Sequence, residues 1–242
     1  MKPIDLRNLK ISKTINSDHS TSVTYSIPGR QLLACEIDTP IARECARLQV
    51  IVKDLELVAA SLKLAKTYDS TKSSQNIIIQ FDPSNPEHII LSAIYRSSII
   101  TYAKHFTKAD GDAPQLHDEQ MKQHLDEDLF QLHIKIRDMR NNWIAHGNHN
   151  EFERGKTIHI IDPNMEFGPQ CFPHVLDFTT PLNSVVQKFE SLTNKVLEVV
   201  KNRLLKKTRK FFKTELQKMD PKELVSKHTL QVVFNYSNLN QQ

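Results

Sequence analysis

The sequence predicts a mainly α fold, a helical bundle of about four long helices with a small β-hairpin addition. Two observations predict it. A hydroxyl, amide or carboxylate residue stands directly before proline at Thr39-Pro40, Asn85-Pro86, Thr180-Pro181 and Asp220-Pro221, the pairing of N-cap and first helical position that starts helices. Behind the first three of these starts, and again from Met121, apolar residues recur in steps of four and three, or cover more than one face. Both are patterns of a helix with a core to fill.

Taken in order, residues 1–36 lack a helical period. TSVTYSIPGRQL alternates weakly and predicts a short strand ending at Pro28-Gly29, within an arm packed over the body. From Thr39-Pro40 a helix carries Ile41, Cys45, Leu48, Val52, Leu55, Ala59 and Leu62 on one line and fades near Tyr68, where DSTKSSQN reads as a loop. NIIIQF at 76–81 is β-rich and short. Asn85-Pro86, with Glu87 at the positive end of the helix dipole, opens a helix to about Phe106. Ile89, Ile90, Ala93, Ile94, Ile99, Ile100 and Ala103 cover more than one of its faces, so a central position is expected.

After the loop KADGDAP, Met121–Trp143 predicts a helix whose stripe is Leu125, Leu129, Leu132, Ile136, Met139 and Trp143, stopped by Gly147 as C-cap. Lys156–Ile161 and His174–Phe178 suggest a hairpin. Thr180-Pro181 opens the last long helix, with Val185, Phe189, Leu192, Val196, Val200, Leu204 and Phe211 as its buried line. Asp220 with Glu223 reads as a capping box for a short final helix, and NYSNLNQQ as a frayed tail. The expected organisation is an arm (1–36), a helical domain (37–219, hairpin near 156–179) and a short helix with tail (220–242).

Composition narrows the function classes. At 242 residues, 39% of them apolar, and a mean hydropathy of −0.45, the chain can bury a sizeable core behind a well-solvated surface. Apolar runs such as Ile94–Ala103 are broken by Arg96, so no membrane span is expected. MKPIDLRNLKIS lacks the apolar region of a secretory signal. Three scattered cysteines (Cys35, Cys45, Cys171) with no CxxC spacing argue for a reducing cytoplasm, against a disulfide framework and against structural zinc. The five glycines are isolated, so no Walker loop, dinucleotide fingerprint or G-x-S-x-G elbow can be written. A formal charge of +4 says little until its placement is known.

Chemistry concentrates in IRDMRNNWIAHG, residues 136–147. Arg140 and His146 form a pair suited to cleaving RNA without a metal. An imidazole exchanges a proton near neutral pH, a guanidinium grips two phosphate oxygens, and RNA supplies its own nucleophile in the 2′-OH. Asn141 can hold the phosphate or orient the histidine. On an ideal helix six positions separate two side chains by about 9 Å of rise and roughly 120°. Convergence on one phosphate then requires arginine's length, a distorted helix end or a second copy across a two-fold axis. The structural alternative pairs Arg140 with Asp138 or Glu151 and sets His146 on helix carbonyls beside Gly147. A metal site from His146 and His149 (HxxH), with His117, His124 and His133 upstream, lacks a third ligand fixed by spacing, so neither metal nor cofactor is expected.

These residues resemble a known family. RNNWIAH near a helix end is similar to the R-x4–6-H motif of the HEPN superfamily, in which a polar residue commonly follows the arginine. LSAIYRSSIITYAKHFTK, then LH, then RDMRNNWIAHG, resembles the abortive-infection type, where an aromatic and basic helix ending in phenylalanine precedes the motif helix. The likeness covers roughly Pro86–Asn150. It implies a helical homodimer with ribonuclease potential, used in toxin–antitoxin or antiphage defence with an antitoxin protein as partner. It also implies Arg140 and His146 as catalytic residues, Asn141 as a polar group of the site, and Tyr102 and Lys104 in support. Asn142 departs from the pattern, since similar sequences often carry a basic residue there, and the region from Lys156 lies outside the likeness. Many members are inactive scaffolds or nucleotide-binding modules, which keeps a non-catalytic RNA- or partner-binding reading open.

Lys201–Lys213 holds seven basic residues and no acid. Such a run is commonly a solvated helix face. Its functional reading is a track for the RNA backbone, carried by Lys206, Lys207, Arg209 and Lys210. Trp143 reads as a core or dimer residue rather than a base-stacking platform.

Overall fold

Local capping chemistry sets where the helices of this computed structural model begin. It describes residues 6–18, 20–68, 84–107, 115–144, 153–161, 163–164, 170–177, 183–220, 222, 229 and 232–234. The strands β1 (Lys10–Ile15), β2 (Thr21–Ile27) and β3 (Arg30–Leu32) come first. Helix α1 (Pro40–Ala65) starts where Thr39 Oγ1 accepts the Ala42 N–H at 3.2 Å. Helix α2 (Pro86–Ala103) starts where the Asn85 side chain accepts the Glu87 N–H at 2.9 Å, and it tightens into a 3-10 turn over Lys104–Phe106. Then come α3 (Asp118–Lys122), α4 (Glu127–Asp138), a π-helical segment at Met139–Ile144, β4 (Glu153–Ile160), β5 (Gln170–Asp177), α5 (Asn183–Thr214) and β6 (Val232–Phe234). The fold is mainly helical with small antiparallel sheets, and no helix among the described residues is long and apolar enough to cross a membrane.

The helix expected over Met121–Trp143 is not continuous. Asp126, in extended backbone (ψ 168°), turns its carboxylate onto the Leu129 N–H at 2.8 Å and starts a new helix. Glu127 and Asp128 follow at its positive end, where acids are favourable. The interruption is a local cap winning over an apolar stripe that reads straight through it. The expected strand at 76–81, the stop at Gly147, the start at Thr180-Pro181, the helix after Pro221 beyond Lys222 and the 235–242 tail lie outside the described residues.

The chain divides into two compact units. In the unit of residues 1–43 and 207–242, the segment expected to hold one short strand carries a meander. β1 and β2 pair antiparallel from Lys10 with Ser26 to Ile15 with Thr21, and β2 pairs with β3 across Pro28-Gly29. Gly29 has φ 74°, a left-handed turn position that glycine adopts without a Cβ clash. β6 adds to β2 on the same edge as β3, away from β1, with Thr21 opposite Phe234 and Val23 opposite Val232.

The unit of residues 44–206 holds the main core. Leu48, Ile51, Val52, Leu55, Val58 and Leu62 of α1 are buried with Leu91, Tyr95, Ile99 and Tyr102 of α2, Ile136 of α4 and Val186, Phe189, Leu192, Val196 and Val200 of α5. The stripe of the motif helix is used here: Met121, Leu125, Ile136 and Met139 are buried, with Leu129 and Leu132 packed against them. It serves the chain's own core and is not offered whole to a second copy. Helix α2 departs from expectation in another way. His88, Ser92, Ser98 and His105 are buried while Ile89 and Ile100 are exposed, so polar groups need partners inside. β4 and β5 form the expected hairpin, registered from Glu153 with Asp177 to Ile160 with Gln170.

Candidate functional site

Below the motif lies a buried polar network. His133, one helical turn before Arg137 on α4, has a fully buried side chain. Its Nε2 lies 3.1 Å from Asp118 Oδ1, at the start of α3, and its Nδ1 lies 2.9 Å from the Tyr102 hydroxyl on α2. A carboxylate can only accept, so Nε2 carries the proton and Nδ1 accepts from tyrosine. Arg137 closes the network on Asp118 Oδ2. Burial lowers the His133 pKa below 6.5, against the opposing pull of Asp118, so the ring is neutral at pH 7. Burial, and then the Asp118 charge, raise Tyr102 well above 10. Phe106 stands edge-on to His133 at 4.4 Å and Phe189 edge-on to Tyr102 at 5.4 Å. Three helices are thereby tied at one level, beneath the turn that carries the motif.

Directly beyond, the regular helix gives way to i→i+5 geometry at Met139–Ile144, a departure frequent at functional sites. Arg140 lies in this segment, half-buried. Its Nη1 donates to Asn141 Oδ1 at 3.0 Å. No carboxylate among the described residues forms an ion pair with it, so the structural alternative through Asp138 is not realised. The contrast with Arg137, whose charge is matched by Asp118, is the main electrostatic feature of the region. Asn141 is half-buried and Asn142 exposed. His146, His149 and Glu151 lie outside the described residues, as does the side chain of Trp143.

The supporting residues separate. Tyr102 is 0% exposed, with its hydroxyl on His133, so it presents no face to a nucleic acid and acts inside the network. Lys104 is half-exposed and held by Asp54 at 2.7 Å, beside His105 Nε2 at 3.1 Å from the same carboxylate oxygen. Burial lowers the His105 pKa below 6.5, Asp54 raising it and Lys104 lowering it less. On α5, Lys201 pairs with Glu56 at 2.7 Å and Arg203 with Glu44 at 3.1 Å. Lys206, Arg209 and Lys210 are exposed, without an ion pair among the described residues, while Lys207 is half-buried and engaged.

Asp118, His133 and Arg137 were not singled out as a unit in the sequence. The available signal is the i,i+4 spacing of His133 and Arg137, which is common on helices and carries little information alone. No group of three or more histidine, cysteine or acidic side chains suited to a metal occurs among the described residues. Comparison with protein-family models, with curated proteins and with solved structures finds no match.

Proposed function

We propose that the chain is a metal-independent endoribonuclease of HEPN type, a cytoplasmic homodimer acting on RNA in toxin–antitoxin or antiphage defence, with an antitoxin protein as its regulator. The observation that carries the reading is Arg140: a half-buried guanidinium bonded to a neutral amide and matched by no carboxylate among the described residues. A partly desolvated cation with no carboxylate of the described residues beside it attracts an anion by electrostatics. In this reading Arg140 holds the non-bridging oxygens of a phosphodiester and Asn141 fixes the guanidinium plane. His146 takes the proton of the 2′-OH. The freed O2′ attacks phosphorus, the P–O5′ bond breaks, and the leaving O5′ takes a proton from solvent water, giving a 2′,3′-cyclic phosphate and a 5′-hydroxyl.

The test is RNA cleavage in EDTA by the wild type, Arg140→Ala and His146→Ala. Chelator-resistant cleavage lost in both variants, at unchanged thermal stability, supports the enzyme. RNA bound but uncut by the wild type would establish the non-catalytic binding module instead. Growth arrest on expression, relieved by either substitution, is the expected cellular counterpart.

A further inference from the structure

Helix α1 has two apolar sides. One is spent on the core. The other runs through Ala46, Val50, Lys53, Leu57, Ala60 and Leu64, all exposed, and Val50, Leu57 and Leu64 remain 55%, 60% and 49% accessible. The steps between these positions are four, three, four, three and four, an uninterrupted heptad seam along about 27 Å of helix. Such a period on an outward face is the pattern of a helix that packs against another helix, not of a solvated one.

The seam is complementary to itself. Laid antiparallel on a second copy about a two-fold axis at position 55, Val50 meets Ala60, Ala46 meets Leu64, and Lys53 meets Leu57. The first two layers set a large side chain against a small one, as interdigitating helices require. The third brings the Lys53 ammonium near Glu56 of the second copy, a carboxylate that Lys201 of its own chain already holds at 2.7 Å. A single charged residue in an apolar seam fixes register at some cost in affinity. Ile100 of α2, 43% exposed, stands one turn before Lys104, and Lys104 reaches Asp54 of α1, so the apolar surface continues onto α2.

We infer that the outer face of α1 is a self-association surface on which a second copy of this chain packs antiparallel. The inference does not depend on the ribonuclease reading and is tested without activity. Sedimentation equilibrium of the full chain should give twice 27.9 kDa. Leu57→Lys, which sets a second ammonium against Lys53 of the facing copy in both central layers, should raise the dimer dissociation constant at least about a hundredfold. Its circular dichroism and melting should match the wild type, because Leu57 is exposed. Ile160→Glu, at a comparably exposed apolar residue of β4, should leave the dimer intact. For register, Val50→Cys with Ala60→Cys in a Cys171→Ser background should form an intermolecular disulfide on mild oxidation, and Val50→Cys alone should not. A monomeric wild type, a Leu57→Lys dimer of unchanged affinity, or a link through Val50→Cys alone would overturn the proposal.

Discussion

Tyr102→Phe removes one oxygen from the centre of the core and nothing else. The ring contacts to Phe106 at 5.3 Å and Phe189 at 5.4 Å persist, so packing hardly changes. What is lost is the 2.9 Å hydrogen bond to His133 Nδ1, and a fully buried acceptor is left without a donor. A neutral hydrogen bond contributes about 1 kcal/mol net, and a stranded buried polar atom costs about 1–3 kcal/mol. The variant should therefore lose about 1–3 kcal/mol in urea unfolding at pH 7.5, read from the midpoint at constant slope. A double-mutant cycle makes the test sharper. In a His133→Leu background the tyrosine hydroxyl is itself stranded, so adding Tyr102→Phe should be neutral or stabilising, with a coupling energy of about 1–2 kcal/mol. A Tyr102→Phe cost under about 0.5 kcal/mol with no coupling would refute the hydrogen-bonded network.

Stability should also fall as pH drops below 6.5. Burial holds His133 and His105 below that value when folded, whereas the unfolded imidazoles bind protons there, so acid favours unfolding by up to about 1.4 kcal/mol per pH unit per histidine. Flat stability between pH 7.5 and 5.5 would contradict this, and His105→Gln should reduce the slope. Asp126→Ala removes the acceptor of the Leu129 N–H and should cost about 1 kcal/mol, measured by melting; an unchanged midpoint would mean the cap does not set the start of α4. Replacing Lys206, Arg209 and Lys210 by glutamine should lower the salt slope of RNA binding by up to about 2, at 0.7 per lost single-strand phosphate contact. An unchanged slope in a filter-binding titration would assign these residues to solvent alone.

The sequence is most legible where structure is decided locally. Thr39-Pro40 and Asn85-Pro86 mark the starts of α1 and α2 because cap and helix are neighbours in the chain, and the line Phe189, Leu192, Val196, Val200 is buried as its spacing predicts. Asp126 shows the limit of periodicity: its carboxylate followed by two acids is a start signal, but Leu125 and Leu129 keep the apolar period across it. The sheet is opaque for a different reason. Thr21 pairs with Phe234, and nothing in either tripeptide names the other. The network below the motif shares this difficulty, since Tyr102, Asp118 and His133 lie far apart in sequence. Arg140 and Asn141 are adjacent, and their contact is the part of the site a motif can announce.

The π turn makes a demand on the proposed chemistry that can be isolated. A turn closed i→i+5 holds one residue more than a turn closed i→i+4, so deleting one residue allows the regular helix to continue. Asn142 is the residue to remove, because it is exposed and takes no core contact with it. Everything through Asn141 keeps its place, including the Asp118–His133–Tyr102 network, while Arg140 and His146 come to stand five positions apart in the chain instead of six. The deletion should retain the fold within about 2 kcal/mol, and Arg140 should still bind RNA. Cleavage should vanish, because His146 no longer meets the phosphate that Arg140 holds. Cleavage that survived in a folded deletion variant would show that the registry of these two residues does not matter, and the single-phosphate mechanism would fall with it.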